Sequence, residues 1–384
     1  MASIITRVLE STVKRYLFRG RVIIIYGARR VGKTTLVKGL LEEYQASKKT
    51  RYINCDDLTN QRVLAVQEAV ALKTFLGDQD LIVLDEAQNV PEIGKVLKIL
   101  VDTYPEMQII ATGSSSFDLA NKASEPMTGR VFPFELYPLS LQEVAGSNGY
   151  SEIEQRLENL LRFGLYPDIL DEPAEDARMK LNELVSNYLY KDILAYAGVR
   201  KSNVIANLLR LLALQLGNQV SYNELAQNLG VDGKTVASYI DVLEQCFVIF
   251  RLTSFSRNLR NELKKSFKVY FYDLGVRNAL IQAYNPLALR ADVGALWENF
   301  CIVERLKLNK YSRRDAVPYF WRTRTQKEID YLEEYEGQLY GFEFKWSPTK
   351  PINPPKEFLE AYQGSTVERV DRSNYWQYLF PPTT

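Results

Sequence analysis

Histidine is absent from all 384 residues. That removes Ser-His-Asp and Cys-His nucleophiles, HExxH metalloproteases and zinc centres built on imidazole. Any chemistry must run on carboxylates, lysines, arginines, hydroxyls and bound metal ions. Cysteine is scarce: Cys55, Cys246 and Cys301 are too few and too scattered for a disulfide framework or a CxxC metal site, which points to a reducing compartment and to small core side chains. No apolar run approaches the roughly 18–20 residues that span a bilayer. The start, "MASIITRVLESTVKRYLFRG", alternates charge with apolar residues instead of forming a signal-peptide core. A cytoplasmic protein without a membrane partner is expected. An excess of one charge is missing too: 48 Lys and Arg stand against 47 Asp and Glu, so nucleic-acid contact would have to come from local patches.

What is present is an alternation of short apolar strands with helical stretches. After an amphipathic helix around 4–17 come the strand candidates "RVIIIYG", "RYINC", "LIVLDE", "QIIATG" and "RVFPFEL", with helix-length segments between the first four. This pattern predicts a parallel sheet covered by helices. From about 138 to 217 the strand signal gives way to helices. Residues 219–272 then read as helix, tight turn, helix and two strands. From about Gly294 a helix precedes the strands "PYFWRT", "EIDYLEEY" and "QLYGFEFKW", a mostly antiparallel sheet; the proline-bearing tail is expected to be irregular near its ends.

Within the first of these regions, Gly27-Ala28-Arg29-Arg30-Val31-Gly32-Lys33-Thr34 matches GxxxxGK[ST] between a strand and a helix. The glycines let backbone N–H groups face phosphate, Lys33 would reach the β and γ oxygens, and Thr34 would ligate Mg²⁺. The helix N-terminus adds a positive dipole. Thr35 completes the expected nucleotide-binding run. In "LIVLDE", Asp85 is expected to contact Mg²⁺ and Glu86 to orient the attacking water. "NKAS" at Asn121 lacks the aspartate that reads guanine, which favours ATP. Arg130 is the first candidate for the arginine that neutralises transition-state charge, in cis or from a neighbouring subunit.

"SYNELAQNLGVDGKTVASYIDVLEQC" spaces its apolar residues as two helices packed around the Gly230 turn, a helix-turn-helix whose following strands form a wing. Lys234, Thr235, Ser238 and Tyr239 share a face of the second helix with Asp241. The richer basic patch is Arg251, Arg257, Arg260, Lys264, Lys265 and Lys268, opposed by Glu262. DNA contact and a protein-facing winged helix both remain open.

Near the C-terminus, period-two geometry puts Glu343 and Lys345 on one face of a strand. Asp330 reaches that face across a hairpin turned near Gly337, and Glu298 could close the group from a helix. Carboxylates beside a lysine are what metal-assisted phosphodiester cleavage needs, with Asp330 and Glu343 holding a second Mg²⁺ or Mn²⁺ and Lys345 beside the nucleophile. Residues 305–327 hold eight basic residues against one aspartate, with Tyr311, Tyr319, Phe320 and Trp321 interleaved, a composition suited to a nucleic-acid strand.

The glutamate directly after the metal-binding aspartate, and the strand "QIIATGSSS", resemble the additional-strand NTPases of the AAA type, in which Thr112 or Ser114 would be the sensor of the γ-phosphate. "FEFK", with its spaced aspartate and upstream glutamate, resembles the PD-(D/E)XK, restriction-endonuclease-like fold. Together with "GRVFPFELYPLS", "YFYDLGVRNAL" and "ALWENF", these motifs resemble a bacterial and archaeal family of AAA-type ATPases with a C-terminal winged helix and a PD-(D/E)XK-like domain. The resemblance implies an α/β fold in four parts: an ATPase core over 1–137, a helical lid over 138–217, a winged helix over 218–272 and a nuclease-like domain over 273–384. It implies that Lys33, Thr34, Asp85 and Glu86 serve ATP and Mg²⁺, and that Glu298, Asp330, Glu343 and Lys345 occupy the nuclease-like positions. DNA is the expected partner, with a second copy of the chain or another protein as alternatives.

Overall fold

The fully apolar strand candidates have no alternation because both their faces are covered. In the computed structural model, the described residues are 5–113, 127–146, 149–189, 193, 202–256, 267–323 and 325–380. They divide into two units, Met1–Leu139 with Gln245–Phe247, and Ser140–Glu244 with Val248–Thr384.

The first unit runs α1 (Val8–Tyr16), β1 (Val22–Tyr26), α2 (Lys33–Tyr44), β2 (Thr50–Asn54), α3 (Leu58–Leu64), α4 (Ala69–Leu76), β3 (Leu81–Asp85), α5 (Ile93–Thr103), β4 (Gln108–Gly113) and β5 (Val131–Glu135). Strands β1, β3 and β4 are buried along their whole length. All pairings are parallel in the order β2-β3-β4-β1-β5, so β4 lies between β1 and β3. The loops leaving β1, β3 and β4 therefore open at one edge of the sheet, where ligands of open α/β sheets bind. Gly27 leaves β1 under the chain that leaves β5: a Cβ there would lie 2.1 Å from the carbonyl oxygen of Leu136, so the position accepts no side chain.

In the second unit, α6 (Leu141–Ala145) starts from a capping box between Ser140 and Glu143. Then follow α7 (Tyr150–Phe163), α8 (Ala174–Glu183), α9 (Ser202–Leu214) and a short strand β6 (Gln219–Val220). Helices α10 (Tyr222–Leu229) and α11 (Gly233–Gln245) flank a left-handed Gly230, the expected helix-turn-helix. The remainder is β7 (Ile249–Ser254), β8 (Phe267–Phe271), α12 (Leu274–Leu280), α13 (Val293–Ser312), β9 (Val317–Arg322), β10 (Glu328–Tyr335), β11 (Gln338–Phe344), α14 (Lys356–Ala361), β12 (Thr366–Val370) and α15 (Tyr375–Leu379). Residues 351–355 form neither helix nor strand, as their prolines predict, and α14, β12 and α15 lie between the two proline clusters.

The strands on either side of residue 272 form one seven-stranded sheet, β12-β11-β10-β9-β7-β8-β6. Its join is the parallel pairing of β7 with β9, Thr253 opposite Tyr319 and Ser254 opposite Phe320, continued by Phe255 N–H donating to the Phe320 carbonyl at 2.7 Å. β9, β10 and β11 make an antiparallel meander and β12 adds parallel to β11. Phe255, Trp321, Ile329, Leu332, Leu339 and Phe358 form a shared apolar core.

The fully buried Glu333 accepts two parallel bonds from Arg305, each 2.9 Å, another from Asn309 at 2.6 Å and one from Arg314 at 3.0 Å. Its carboxyl is held below the ordinary range: burial opposes the charge, and the bonds and charge of Arg305 overcome that cost. Removing one partner of such a pair strands the other charge. Glu333→Ala is expected to lower stability by about 3–5 kcal/mol, read by denaturant unfolding of the full chain.

Candidate functional site

The edge of the first sheet gathers the nucleotide motifs. Gly32, with φ 96°, caps α2 in a conformation that side chains disfavour, and turns the loop's N–H groups toward the helix axis. Lys33 is buried, and its ammonium donates to the carbonyls of Gly27 at 2.9 Å and Ala28 at 2.8 Å. Asp85 at the end of β3 is the centre: its Oδ2 accepts from Thr34 Oγ1 at 2.8 Å and from the Tyr52 hydroxyl at 2.6 Å, and its Oδ1 accepts from Thr112. Thr112 also accepts from the N–H of Glu86 at 3.0 Å. Glu86 is half-buried in a left-handed conformation, φ 54°, and its carboxylate accepts from Gln88. Of the two sensor candidates, Thr112 lies in this group; Ser114 and the segment around Asn121 lie outside the described residues.

Arg29 and Thr35 are exposed at the loop, and Arg30 takes a left-handed φ of 63°. Two residues of the site had no motif to announce them. Tyr52 reaches Asp85 from β2, with its hydroxyl pKa raised by burial and by the Asp85 carboxylate. Arg7, just before α1, donates to the carbonyls of Val31 at 2.6 Å and Tyr137 at 2.7 Å, bracing the loop from below. A hydroxyl and a carboxylate side by side form an oxygen pair suited to Mg²⁺, with phosphate and water oxygens left to complete its shell.

In the second unit the four expected residues do come near one another, with company. The α13 residue Asn299 exchanges bonds of 2.8 and 2.9 Å with the backbone of Phe271, which sets Glu298 beside β8. There Glu298 accepts from Lys268 at 3.1 Å and from the Tyr270 hydroxyl at 2.5 Å, while Lys268 also meets Glu328 at 2.5 Å. Lys345 lies 3.7 Å from Asp330 and 3.4 Å from Glu343, and Asp330 accepts the Phe344 N–H at 2.9 Å. Lys268 and Glu328 had not been read as members of this group.

The comparisons with known proteins bear on both units. Residues 19–145 match the AAA domain family; 154–287 and 293–378 match two domains of unknown function. The chain is 32% identical over 349 residues to the uncharacterized protein Rv2008c of Mycobacterium tuberculosis, spanning 89% of this chain and 74% of that one. It belongs to that family of AAA-domain proteins. The uncharacterized protein MJ1637 of Methanocaldococcus jannaschii is 26% identical over 71% of this chain and 65% of its own. Among solved structures, AMPPCP-bound DnaA from Aquifex aeolicus aligns at 17% identity over 62% of this chain and 86% of that one, with a TM-score of 0.30.

The first unit of this AAA-domain protein is a P-loop ATPase domain, and several finer expectations need correction. Arg130 precedes β5 and pairs by its backbone with Val22 at the start of β1, so it sits on the far edge of the sheet, roughly 15 Å of strand from the loop. There it binds Asp102 at 2.6 Å. It cannot serve as the arginine finger of its own chain. In the expected basic patch, Arg251 is held by Glu244, Asp241 and Tyr222, and Lys268 is buried; Arg257, Arg260, Glu262, Lys264 and Lys265 lie outside the described residues. In the stretch 305–327, five of the eight basic residues are paired with carboxylates of the same chain, while Lys310 and Arg313 are exposed. Arg305 and Arg314 bind Glu333, Lys307 binds Glu304, Arg322 binds Glu328 and Lys327 binds Glu357. Tyr311, Phe320 and Trp321 are core residues, Tyr319 packs against that core, and Arg324 lies outside the described residues.

Asp330 and Glu343, the expected ligands of a second metal, each face Lys345, and among the described residues no group of three or more His, Cys, Asp or Glu side chains is placed to hold a metal ion. The three cysteines are buried and free, with burial pushing the Cys55 thiol up to about 12. Among the described residues no helix is long and apolar enough to cross a membrane.

Burial pushes Glu298 up to about 7, with Lys268 opposing and Asp330 adding to the rise. Lys268 keeps its proton, because the surrounding carboxylates outweigh the cost of its burial. A carboxyl raised by folding stabilises most when protonated, below the ordinary carboxyl range, and that contribution is lost as pH rises through about 7. Glu298→Gln does not titrate. Between pH 5 and 8.5 the wild type should therefore lose roughly 1–3 kcal/mol relative to this variant, measured by parallel unfolding curves.

Proposed function

We propose that the protein is a Mg²⁺-dependent ATPase switch whose nucleotide state governs how its C-terminal module engages DNA. The observation that carries the ATPase part is the convergence of Thr34, Tyr52 and Thr112 on the single carboxylate of Asp85, beside Lys33 and Glu86. The chain's N–H groups from 27 to 35 cradle the phosphates. Lys33 exchanges its two loop carbonyls for phosphate oxygens, and Thr34 and Asp85 hold the ion. Mg²⁺, when bound with the nucleotide, neutralises charge on the phosphate oxygens. Glu86 is adjacent to that carboxylate and orients the attacking water; Thr112 ties its backbone to Asp85 and so couples the two positions.

The DNA part is supported by the helix-turn-helix of α10 and α11 and by Glu298, Asp330, Glu343 and Lys345 near one another on α13, β10 and at the end of β11, the set we read as a PD-(D/E)XK-like module. We read α10 to β8 as a winged helix within that module's sheet. Lys234 and Ser238 are exposed on α11 and would face the duplex. One observation favours a second reading, a signalling ATPase whose C-terminal unit binds a protein: Arg305, Lys307, Arg314, Arg322 and Lys327, five of the eight basic residues of 305–327, are paired with carboxylates of the same chain.

Lys33→Ala should weaken ATP binding about 10- to 100-fold by removing charge-assisted bonds. Glu86→Gln should keep binding and lower turnover about 100-fold or more. Fluorescent-nucleotide titration and phosphate release check both, and unchanged hydrolysis in Glu86→Gln would remove the water-orienting role.

For the C-terminal unit, anisotropy with duplex DNA should show binding that falls steeply with salt and weakens when Lys234 is reversed to Glu. No binding at low salt would favour the protein-partner reading.

A further inference from the structure

The carboxylates of the second unit are supplied with cations from within the chain. Lys268, the second residue of β8, projects from an interior strand with only 3% of its side chain exposed. Its ammonium stands 2.5 Å from Glu328 and 3.1 Å from Glu298, above the ring of Phe320 at 5.6 Å. Glu298 is completed by the Tyr270 hydroxyl, and the other oxygen of Glu328 meets Arg322 at 3.3 Å. Asp330 and Glu343 share Lys345. Four carboxylates therefore face Lys268, Arg322 and Lys345, and an entering divalent ion would meet little unbalanced negative charge. It would also have to lie beside an ammonium whose side chain is almost wholly buried and held by two carboxylates, on a strand paired on both sides, at Gln219 and Leu252.

We propose that Lys268 is the resident cation of this carboxylate group, standing where a divalent ion would otherwise be held, so that the nuclease-like module engages its partner without metal-dependent cutting. The chain supplies its own counter-charge from a neighbouring strand. This inference rests on the nuclease-like reading of the C-terminal module and not on the ATP site; its failure shows in Mn²⁺ binding, whereas failure of that reading shows in DNA binding.

The test is titration of the full-length, nucleotide-free protein with Mn²⁺, followed by the paramagnetic resonance of the free ion and by thermal melts. Wild type should show no Mn²⁺ site that Asp330→Asn or Glu343→Gln removes. Lys268→Ala should gain about one Mn²⁺ per chain and melt higher in its presence, and adding Asp330→Asn should abolish both effects. A folded Lys268→Ala that gains no Mn²⁺ would overturn the proposal. So would a wild-type site lost in Asp330→Asn, and that comparison decides the matter even if Lys268→Ala does not fold. DNA cutting by wild type with Mn²⁺, absent from Asp330→Asn, would overturn it as well.

Discussion

The carboxylate of Asp85 is the acceptor on which the first unit's site depends. Thr34 comes to it from the loop after β1, Tyr52 from β2 and Thr112 from β4, while Asp85 itself ends β3. Only a parallel sheet with β4 between β1 and β3 brings these four chain segments to one point. Hydrogen bonds that share an acceptor polarise and constrain one another, so a shift in any of these strands is felt at the others. The buried, apolar strands beneath supply the rigidity that such a focus needs.

The second unit handles charge in two contrasting ways. Around Glu333, the planar fork of Arg305 saturates a carboxylate with Asn309 and Arg314 in support, which suits a fixed structural tie. Around Glu298 and Glu328, the lysine Lys268 shares one compact charge between two carboxylates. The first arrangement locks α13 to the sheet, and the second leaves a carboxyl that titrates near neutrality.

The nucleotide loop was legible because its chemistry lies in eight consecutive residues bounded by a strand and a helix. Asp85 and Glu86 were legible as the end of an apolar run. Tyr52 and Arg7 were not, since a tyrosine in a strand and an arginine before a helix carry no mark of the distant carboxylate or carbonyl they will meet. The same blindness to long-range pairing explains the opposite error. Arg305, Lys307 and Lys327 look like a basic stretch when counted along the chain, whereas Glu333, Glu304 and Glu357 neutralise them in space. Lys268 was grouped with basic neighbours because nothing local reveals that β8 lies within a lysine's reach of Glu298 and Glu328. β12 was missed likewise, because its parallel pairing with β11 is a long-range contact that the chain around Thr366–Val370 does not announce.

The β7–β9 seam bears on how the chain can be divided. A fragment beginning after β8 would keep α13 and the meander yet lose β7, whose Thr253 and Ser254 pair with Tyr319 and Phe320, baring one side of β9. It would also remove Phe255 from the core it shares with Trp321, Ile329 and Phe358. An unpaired edge backed by exposed aromatics is a template for association with other chains, so such a fragment would report aggregation and not the properties of the module.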